Sequence, residues 1–409
     1  MINYRPPFWV VFFYGFPSLL LLHRRICLYF FAYGEANDVE WEELFLKRCL
    51  WFFIILFLIV SMNQAGSVHA EANISVSAER AVLMDADSGR VLYEKNAYDP
   101  TLIASTTKIL TAIIAIEAAD IEEKVTVSKR AVYTEGSSIY LTEKEKIPLK
   151  DLIYGLMLRS GNDSAVAIAE HVGGSVEGFV QMMNEKALWL GMNDSHFENP
   201  HGLDGETHYS TAYDLALLMS YAMKNETFKE VTGSEMYRSK NRDYAWMNKN
   251  KLLTQYYDPT NGGKTGYTKK AGRTLVSSAE KDGMQLIAVT LQASDDWNDH
   301  ERMYEWGFEN FESVTLQKEG TVEVGGTSFY IPRDLVVPLT LNEKEDVEAV
   351  FYRYQNEDAS SNMAGVTTFK VGNEPVADIP VYKEKPKEGF FKELKGFMDR
   401  MMGVAPWST

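Results

Sequence analysis

The chain has 409 residues, 45% of them hydrophobic, and a formal net charge of −16. That is length enough for two or three domains with real cores, and the acidic balance argues against a nucleic-acid partner, which needs a basic face. Its two cysteines, Cys27 and Cys49, both precede residue 71, and the histidines beyond it (His171, His196, His201, His208 and His300) lack the H-E-x-x-H spacing. No disulfide, thiolate nucleophile, metal or cofactor is therefore expected in the remainder.

Lys47-Arg48 precede an apolar run from Cys49 to Val60, and Val68-His69-Ala70 follows. A charged start, an apolar middle and a small-residue end read as a signal peptide over 46–70, cut after Ala70. The apolar run is short of the roughly 20 residues that span a bilayer. The expected product is exported, to the extracytoplasmic face of the cell membrane. Residues 1–45 carry another apolar stretch, Phe8 to Leu22, and an acidic patch at Glu40, Glu42 and Glu43. They read either as an upstream membrane helix or, the reading preferred here, as an extension ahead of a true start at Leu46. Acidic and basic residues balance over 1–70, so the mature chain keeps the whole charge of −16.

Residues 71–314 open with alternation from Ile74 to Asn96 around a Gly89 turn, a hairpin signal. An apolar helical run, Ile109 to Glu117, follows Ala104-Ser105-Thr106-Thr107-Lys108. Thr126 to Ser138 reads as short strands. Helices are expected over Leu149–Leu158, Asp163–Val172, Val176–Leu190 and Thr211–Met223, the second stopped by Gly173-Gly174. Asn199-Pro200-His201-Gly202-Leu203 reads as a loop. Gly262 to Tyr267 leads into Arg273 to Ala279, which forms a hairpin with Gln285 to Leu291 through Asp282-Gly283, and a helix over Asp299–Phe311 closes the region. The order of elements is that of an α+β fold, a helical region on an antiparallel sheet built from both ends of the domain.

Residues 315–385 alternate again, over Val322–Ile331, Val347–Tyr354, Val366–Val371 and Val376–Tyr382, as a small β-sandwich. Over 386–409, Phe390, Phe391, Leu394, Phe397, Met398, Met401 and Met402 form one helical stripe among lysines. Such a helix lies on a membrane surface.

The chemistry gathers at Ser105 and Lys108. Three residues apart on a helix, they point the same way. Ser105 stands where backbone N–H groups lack partners, and a lysine in a water-poor, electropositive place loses enough basicity to take a serine's proton. Two further signals follow in fixed order, Ser160-Gly161-Asn162 and Lys264-Thr265-Gly266. S-x-x-K, S-x-N and K-T-G in that order resemble the penicillin-binding proteins and serine β-lactamases. S-G-N in place of S-D-N, the Asn199–Leu203 loop, the β region and the terminal helix are most similar to the low-molecular-weight D-alanyl-D-alanine carboxypeptidases. Glu135–Thr142, Leu152–Asp163 and Gly262–Thr268 look most like the sporulation-specific enzymes of bacilli, which trim spore-cortex peptidoglycan.

The resemblance implies a penicillin-binding/β-lactamase-like fold. It also implies a serine enzyme acting on peptidoglycan stem peptides ending in D-Ala-D-Ala, acylated by β-lactam antibiotics. Ser105 would attack the penultimate D-alanine's carbonyl, Lys108 take its proton and Ser160 relay one to the leaving D-alanine. Asn162 would bind the peptide backbone. Lys264, Thr265 and Gly266 would receive the terminal carboxylate, with Arg273 a further contact. The N–H groups of Ser105 and Tyr267 would hold the oxyanion. A DD-endopeptidase uses the same residues. A class A β-lactamase needs E-x-x-L-N, where this chain has Glu198-Asn-Pro-His-Gly. A non-catalytic penicillin sensor usually follows several membrane helices, of which residues 1–60 offer two at most.

Overall fold

The computed structural model describes residues 74–354 and 362–386. The upstream segment 1–45, the expected signal peptide over 46–70 and all but the first residue of the expected membrane-surface helix over 386–409 lie outside the described residues.

Strands β1 (Arg80–Asp85) and β2 (Val91–Lys95) form the N-terminal hairpin. A 3₁₀ turn, Ala104–Thr107, then runs into α1 (Lys108–Ala118). β3 (Lys124–Thr126) is followed by the short helix α2 (Lys129–Val132), then by β4 (Lys146–Pro148), the partner of β3. The helical turn corrects the strands expected over Thr126–Ser138. Ser128 accepts the Ala131 N–H, and this cap converts what reads as strand into helix. α3 (Leu149–Arg159), α4 (Asn162–Gly173) and α5 (Val176–Trp189) follow, with Gly174 left-handed after α4 and Ser175 capping α5. Thr211 caps α6 (Ala212–Ala222) and Asn225 caps α7 (Glu226–Gly233). β5 (Met236–Tyr237) and β6 (Trp246–Met247) make a small ribbon.

β7 (Thr260–Thr268), β8 (Gly272–Lys281) and β9 (Met284–Ala293) form a meander. Asp282 and Gly283, between the last two, both have positive φ (52° and 79°), as a two-residue turn with the strands' own twist requires. α8 (Asp296–Asn310) completes this part. The central sheet has the antiparallel order β2-β1-β9-β8-β7, so both ends of the region contribute strands.

Side-chain alternation sorts that sheet into two faces. Val82, Met84, Val276, Ile287 and Val289 pack with α1, α3, α4, α5 and α6 in one core. Ala81, Leu83, Leu275, Leu286 and Ala288 pack with Met303 and Tyr304 of α8 in another. Both faces are covered, so β1 carries the continuous apolar run Ala81-Val82-Leu83-Met84 in place of the alternation expected over Ile74–Asn96.

β10 (Glu312–Gln317), β11 (Gly320–Val324), β12 (Thr327–Ile331) and β13 (Leu335–Leu339) precede the single-turn α9 (Leu341–Glu345), after which come β14 (Val347–Arg353), β15 (Met363–Val371) and β16 (Glu374–Tyr382). They form a five-stranded sheet, β11-β12-β16-β15-β14, and a two-stranded one, β10-β13, around Phe329, Leu335, Val337 and Ile379. Alternation misses β10 and β13, and a boundary at residue 315 falls inside β10. The reason for β13 is its run Leu335-Val336-Val337-Pro338-Leu339, a continuous apolar stretch without period. Arg90, in the β1–β2 turn, donates to the Pro338 carbonyl at 2.5 Å and pairs with Glu343, tying this region to the central sheet.

Candidate active site

Three segments converge on Ser105. The first is its own 3₁₀ turn. Ala104 holds φ at +48°, a left-handed value for a residue with a Cβ, and such a conformation persists only where neighbours enforce it. Thr106 Oγ1 donates to the Ile103 carbonyl at 2.6 Å and Thr107 Oγ1 to the Ala104 carbonyl at 2.8 Å. The turn closes onto α1, whose first residue, Lys108, is fully buried. Its Nζ lies 3.0 Å from Ser105 Oγ.

The second segment is the junction of α3 and α4. Ser160 takes a left-handed conformation (φ 64°) and ends α3, and Asn162 begins α4. Buried Asp163 gathers the preceding loop onto this helix, accepting from Ser138 Oγ at 2.6 Å and from the N–H groups of Ile139 and Leu141. That loop in turn orients Asn162. The Asn162 N–H donates to the Ser137 carbonyl at 2.6 Å, and Nδ2 donates to the Glu135 carbonyl at 2.5 Å. The amide oxygen is left facing Lys108 Nζ at 2.7 Å.

The third is edge strand β7. Lys264 is 1% exposed, and its Nζ donates to the Thr265 carbonyl at 2.7 Å. A Cβ on Gly266 would lie 2.9 Å from Ser105 N and 2.4 Å from Thr274 Oγ1. Only a glycine lets β7 run this close to the Ser105 backbone. Tyr267 follows with its ring 66% exposed. Arg273 pairs with Tyr267 across the β7–β8 ladder, but its guanidinium is taken by Asp296 and lies 5.6 Å from the Trp297 ring centre. The structure thus brings Ser105, Lys108 and Asn162 into hydrogen-bonding contact, sets Gly266 against Ser105, and engages Arg273 elsewhere.

This arrangement meets a clear pattern among known proteins. Residues 66–295 match the family model Peptidase S11, described as D-alanyl-D-alanine carboxypeptidase. The chain belongs to that family. It is 34% identical to the D-alanyl-D-alanine carboxypeptidase DacF of Bacillus subtilis, over 86% of this chain and 98% of that one. It is 37% identical to DacC of Escherichia coli over 64% of this chain and 68% of that one. The crystal structure of the carboxypeptidase DacD from Francisella tularensis superposes with a TM-score of 0.61 at 27% identity, covering 78% of this chain and 95% of that one.

Electrostatics of this carboxypeptidase are set by burial. Lys108 is held well below the ordinary lysine range, first by desolvation and then by the positive charges of Lys264 and Lys249. Lys264 is lowered to about 7, by desolvation and then by Lys249. His201, whose carbonyl accepts from Lys108 Nζ at 2.5 Å, is lowered to about 3, again chiefly by burial. It stays neutral and adds no charge to the group.

Lys249 is the residue that motif reading misses. It sits in the polar run Asn248-Lys249-Asn250-Lys251, which carries no signal, and reaches the site because its N–H donates to the Leu158 carbonyl near the end of α3. Lys249→Gln removes an ammonium that repels protons from both Lys108 and Lys264, so both titrate higher. The expected result is a displacement of the whole pH profile of kcat/KM to higher pH. A profile left in place, or moved down, contradicts a role for Lys249 in the field of the site.

Proposed function

We propose that this D-alanyl-D-alanine carboxypeptidase works through an acyl-enzyme on Ser105, with Lys108 as the base. The observation that carries the reading is the surroundings of Lys108 Nζ: Asn162 Oδ1 at 2.7 Å, the His201 carbonyl at 2.5 Å and Ser105 Oγ at 3.0 Å. A neutral amine has two hydrogens and one lone pair. Two of the three neighbours are carbonyl oxygens, which only accept, so they take both hydrogens. The lone pair is left to Ser105, the one neighbour with a proton to give. Burial beside Lys264 favours that neutral form.

In this reading a stem peptide ending in D-Ala-D-Ala lies along β7, its terminal carboxylate at Lys264 and Thr265. Ser105 Oγ attacks the penultimate carbonyl as its proton passes to Lys108. The developing oxyanion is met by the N–H groups of Ser105 and Tyr267, each such donor contributing about 10²–10³ in rate. The proton moves through Ser160 to the departing amine as the C–N bond breaks, and water then hydrolyses the ester and restores Ser105. A β-lactam enters by the same attack, its ring C–N bond opens, and the whole molecule stays on Ser105 as an ester with its amine still tethered.

Glu198 favours peptidase over β-lactamase. Its Oε1 accepts from Thr207 N at 3.1 Å and Thr207 Oγ1 at 2.6 Å, which ties this exposed side chain to its own loop. The spore cortex as the setting rests on the resemblance carried by Glu135–Thr142, Leu152–Asp163 and Gly262–Thr268. Export and membrane attachment rest on 46–70 and 386–409.

Mature protein incubated with diacetyl-lysyl-D-alanyl-D-alanine is expected to release free D-alanine, and Ser105→Ala to release none and to take up no fluorescent penicillin. Labelling that persists on intact Ser105→Ala refutes the nucleophile. Absence of D-alanine release by the unmodified enzyme refutes the substrate.

A further inference from the structure

We propose that His208 and Thr107 tune the oxyanion hole, through a directional chain of hydrogen bonds that ends on the peptide joining Ala104 to Ser105. The inference rests on the reading that the Ser105 N–H stabilises the oxyanion.

The direction of the chain follows from its first link. The Glu198 N–H donates to His208 Nδ1 at 3.1 Å, so that nitrogen carries no hydrogen. His208 is 1% exposed, and burial keeps the ring neutral, with its pKa lowered to about 4. A neutral ring without a hydrogen on Nδ1 has one on Nε2. Nε2 lies 2.8 Å from Thr107 Oγ1 and donates to it. The threonine hydroxyl then has its own hydrogen free for the Ala104 carbonyl, 2.8 Å away. Every link points the same way, toward that carbonyl.

The Ala104 carbonyl and the Ser105 N–H belong to one amide. Donation into the carbonyl draws electron density from nitrogen and makes the N–H a stronger donor, the cooperative effect expected of hydrogen bonds in series away from water. The chain also orients the same peptide. Ala104 is left-handed, and the carbonyl before it, on Ile103, is gripped in parallel by Thr106 Oγ1 at 2.6 Å and Thr274 Oγ1 at 3.1 Å. Gly202 covers the Ala104 oxygen so closely that a Cβ there would lie 1.9 Å from it. The Phe197 ring meets His208 edge-on at 5.7 Å between centres and holds the imidazole in line. His208 and Thr107 are thus positioning residues for the known reaction, acting on the catalytic N–H through the amide behind it.

The experiment reads the ester carbonyl of the full-length enzyme acylated by benzylpenicillin, by infrared difference spectroscopy, together with the acylation rate. Thr107→Val keeps shape and volume but donates nothing. It is expected to slow acylation about tenfold, the worth of one hydrogen bond, and to move the acyl carbonyl band to higher wavenumber. His208→Leu leaves Thr107 donating to the Ala104 carbonyl without the bond that polarises it, and is expected to move both in the same direction by less. His208→Gln, whose side-chain N–H reaches toward Thr107, is expected to recover most of both. A merely structural role predicts otherwise: less enzyme that can be titrated with penicillin, and an unmoved band in the fraction that is acylated. That result in Thr107→Val overturns the proposal while leaving the acyl-enzyme intact. An unmodified enzyme with no ester band at all overturns the acyl-enzyme itself, and this inference with it.

Discussion

Lys108→Met is expected to lower the rate of acylation by about 10²–10⁴-fold, the usual contribution of a general base. The thioether has similar length and fills the same buried space, so the change removes a lone pair and two N–H donors and little else. Stability is not expected to fall in proportion. The Asn162 amide oxygen and the His201 carbonyl each lose a donor, but a buried amine and its repulsion from Lys264 are removed as well. Activity and stability therefore separate, as they do where a site holds a group in a destabilising environment for its chemistry. Lys108→Arg is a second check, because a guanidinium carries a fixed charge and never gives up its proton under these conditions. Comparison of single-turnover acylation with thermal unfolding decides it. A Lys108→Met enzyme acylating within a few-fold of the parent eliminates this lysine as the base.

Gly202→Ala is the other large effect, and it works through sterics. Gly202 has φ of +86°, and a Cβ there would lie 1.9 Å from the Ala104 oxygen and 2.8 Å from Thr107 Oγ1. The first contact is with backbone, which cannot rotate away, and the second is with a hydroxyl already engaged at both ends. Strain in the left-handed region adds about 1 kcal/mol and forced overpacking about 1–3 kcal/mol, so the fold is expected to lose roughly 2–4 kcal/mol. The displaced atom belongs to the amide that presents the Ser105 N–H, so acylation is expected to fall about 10²-fold or more. Denaturant unfolding measures the first loss and penicillin acylation the second. An alanine variant with parental values of both shows that the loop over Ala104 moves freely.

The loop that contributes Gly202 shows how far the chain could be read without its fold. Asn199-Pro200-His201-Gly202-Leu203 reads as a turn. What it turns over is visible only in space: Pro200 O receives Thr111 Oγ1, His201 O receives Lys108 Nζ, and Gly202 meets Ala104. A backbone carbonyl has no side-chain signature, so sequence inspection has no way to find it. His208 was a histidine without metal spacing and nothing more. Arg273 shows the converse. It stands opposite Tyr267, near enough in the ladder to be counted with the site, yet Asp296, 23 residues on, takes its guanidinium. Helices α3 to α6 were legible within a residue or two because caps such as Ser175 and Thr211 and stops such as Gly174 act over three or four residues. α2 was not, since one serine cap outweighed the apparent strand pattern.

What the sequence determined by itself is what depends on neighbours along the chain: the order of the elements, the spacing of Ser105 from Lys108, and the Ser160–Asn162 and Lys264–Gly266 signatures. The tertiary structure decided the protonation of Lys108, because burial and the approach of Lys264 and Lys249 set it. It also decided which oxygens share the two hydrogens of that amine, Asn162 lying 54 residues away and His201 lying 93. Desolvation and hydrogen bonding act through space over a few ångströms, and folding alone brings such distant groups within that range.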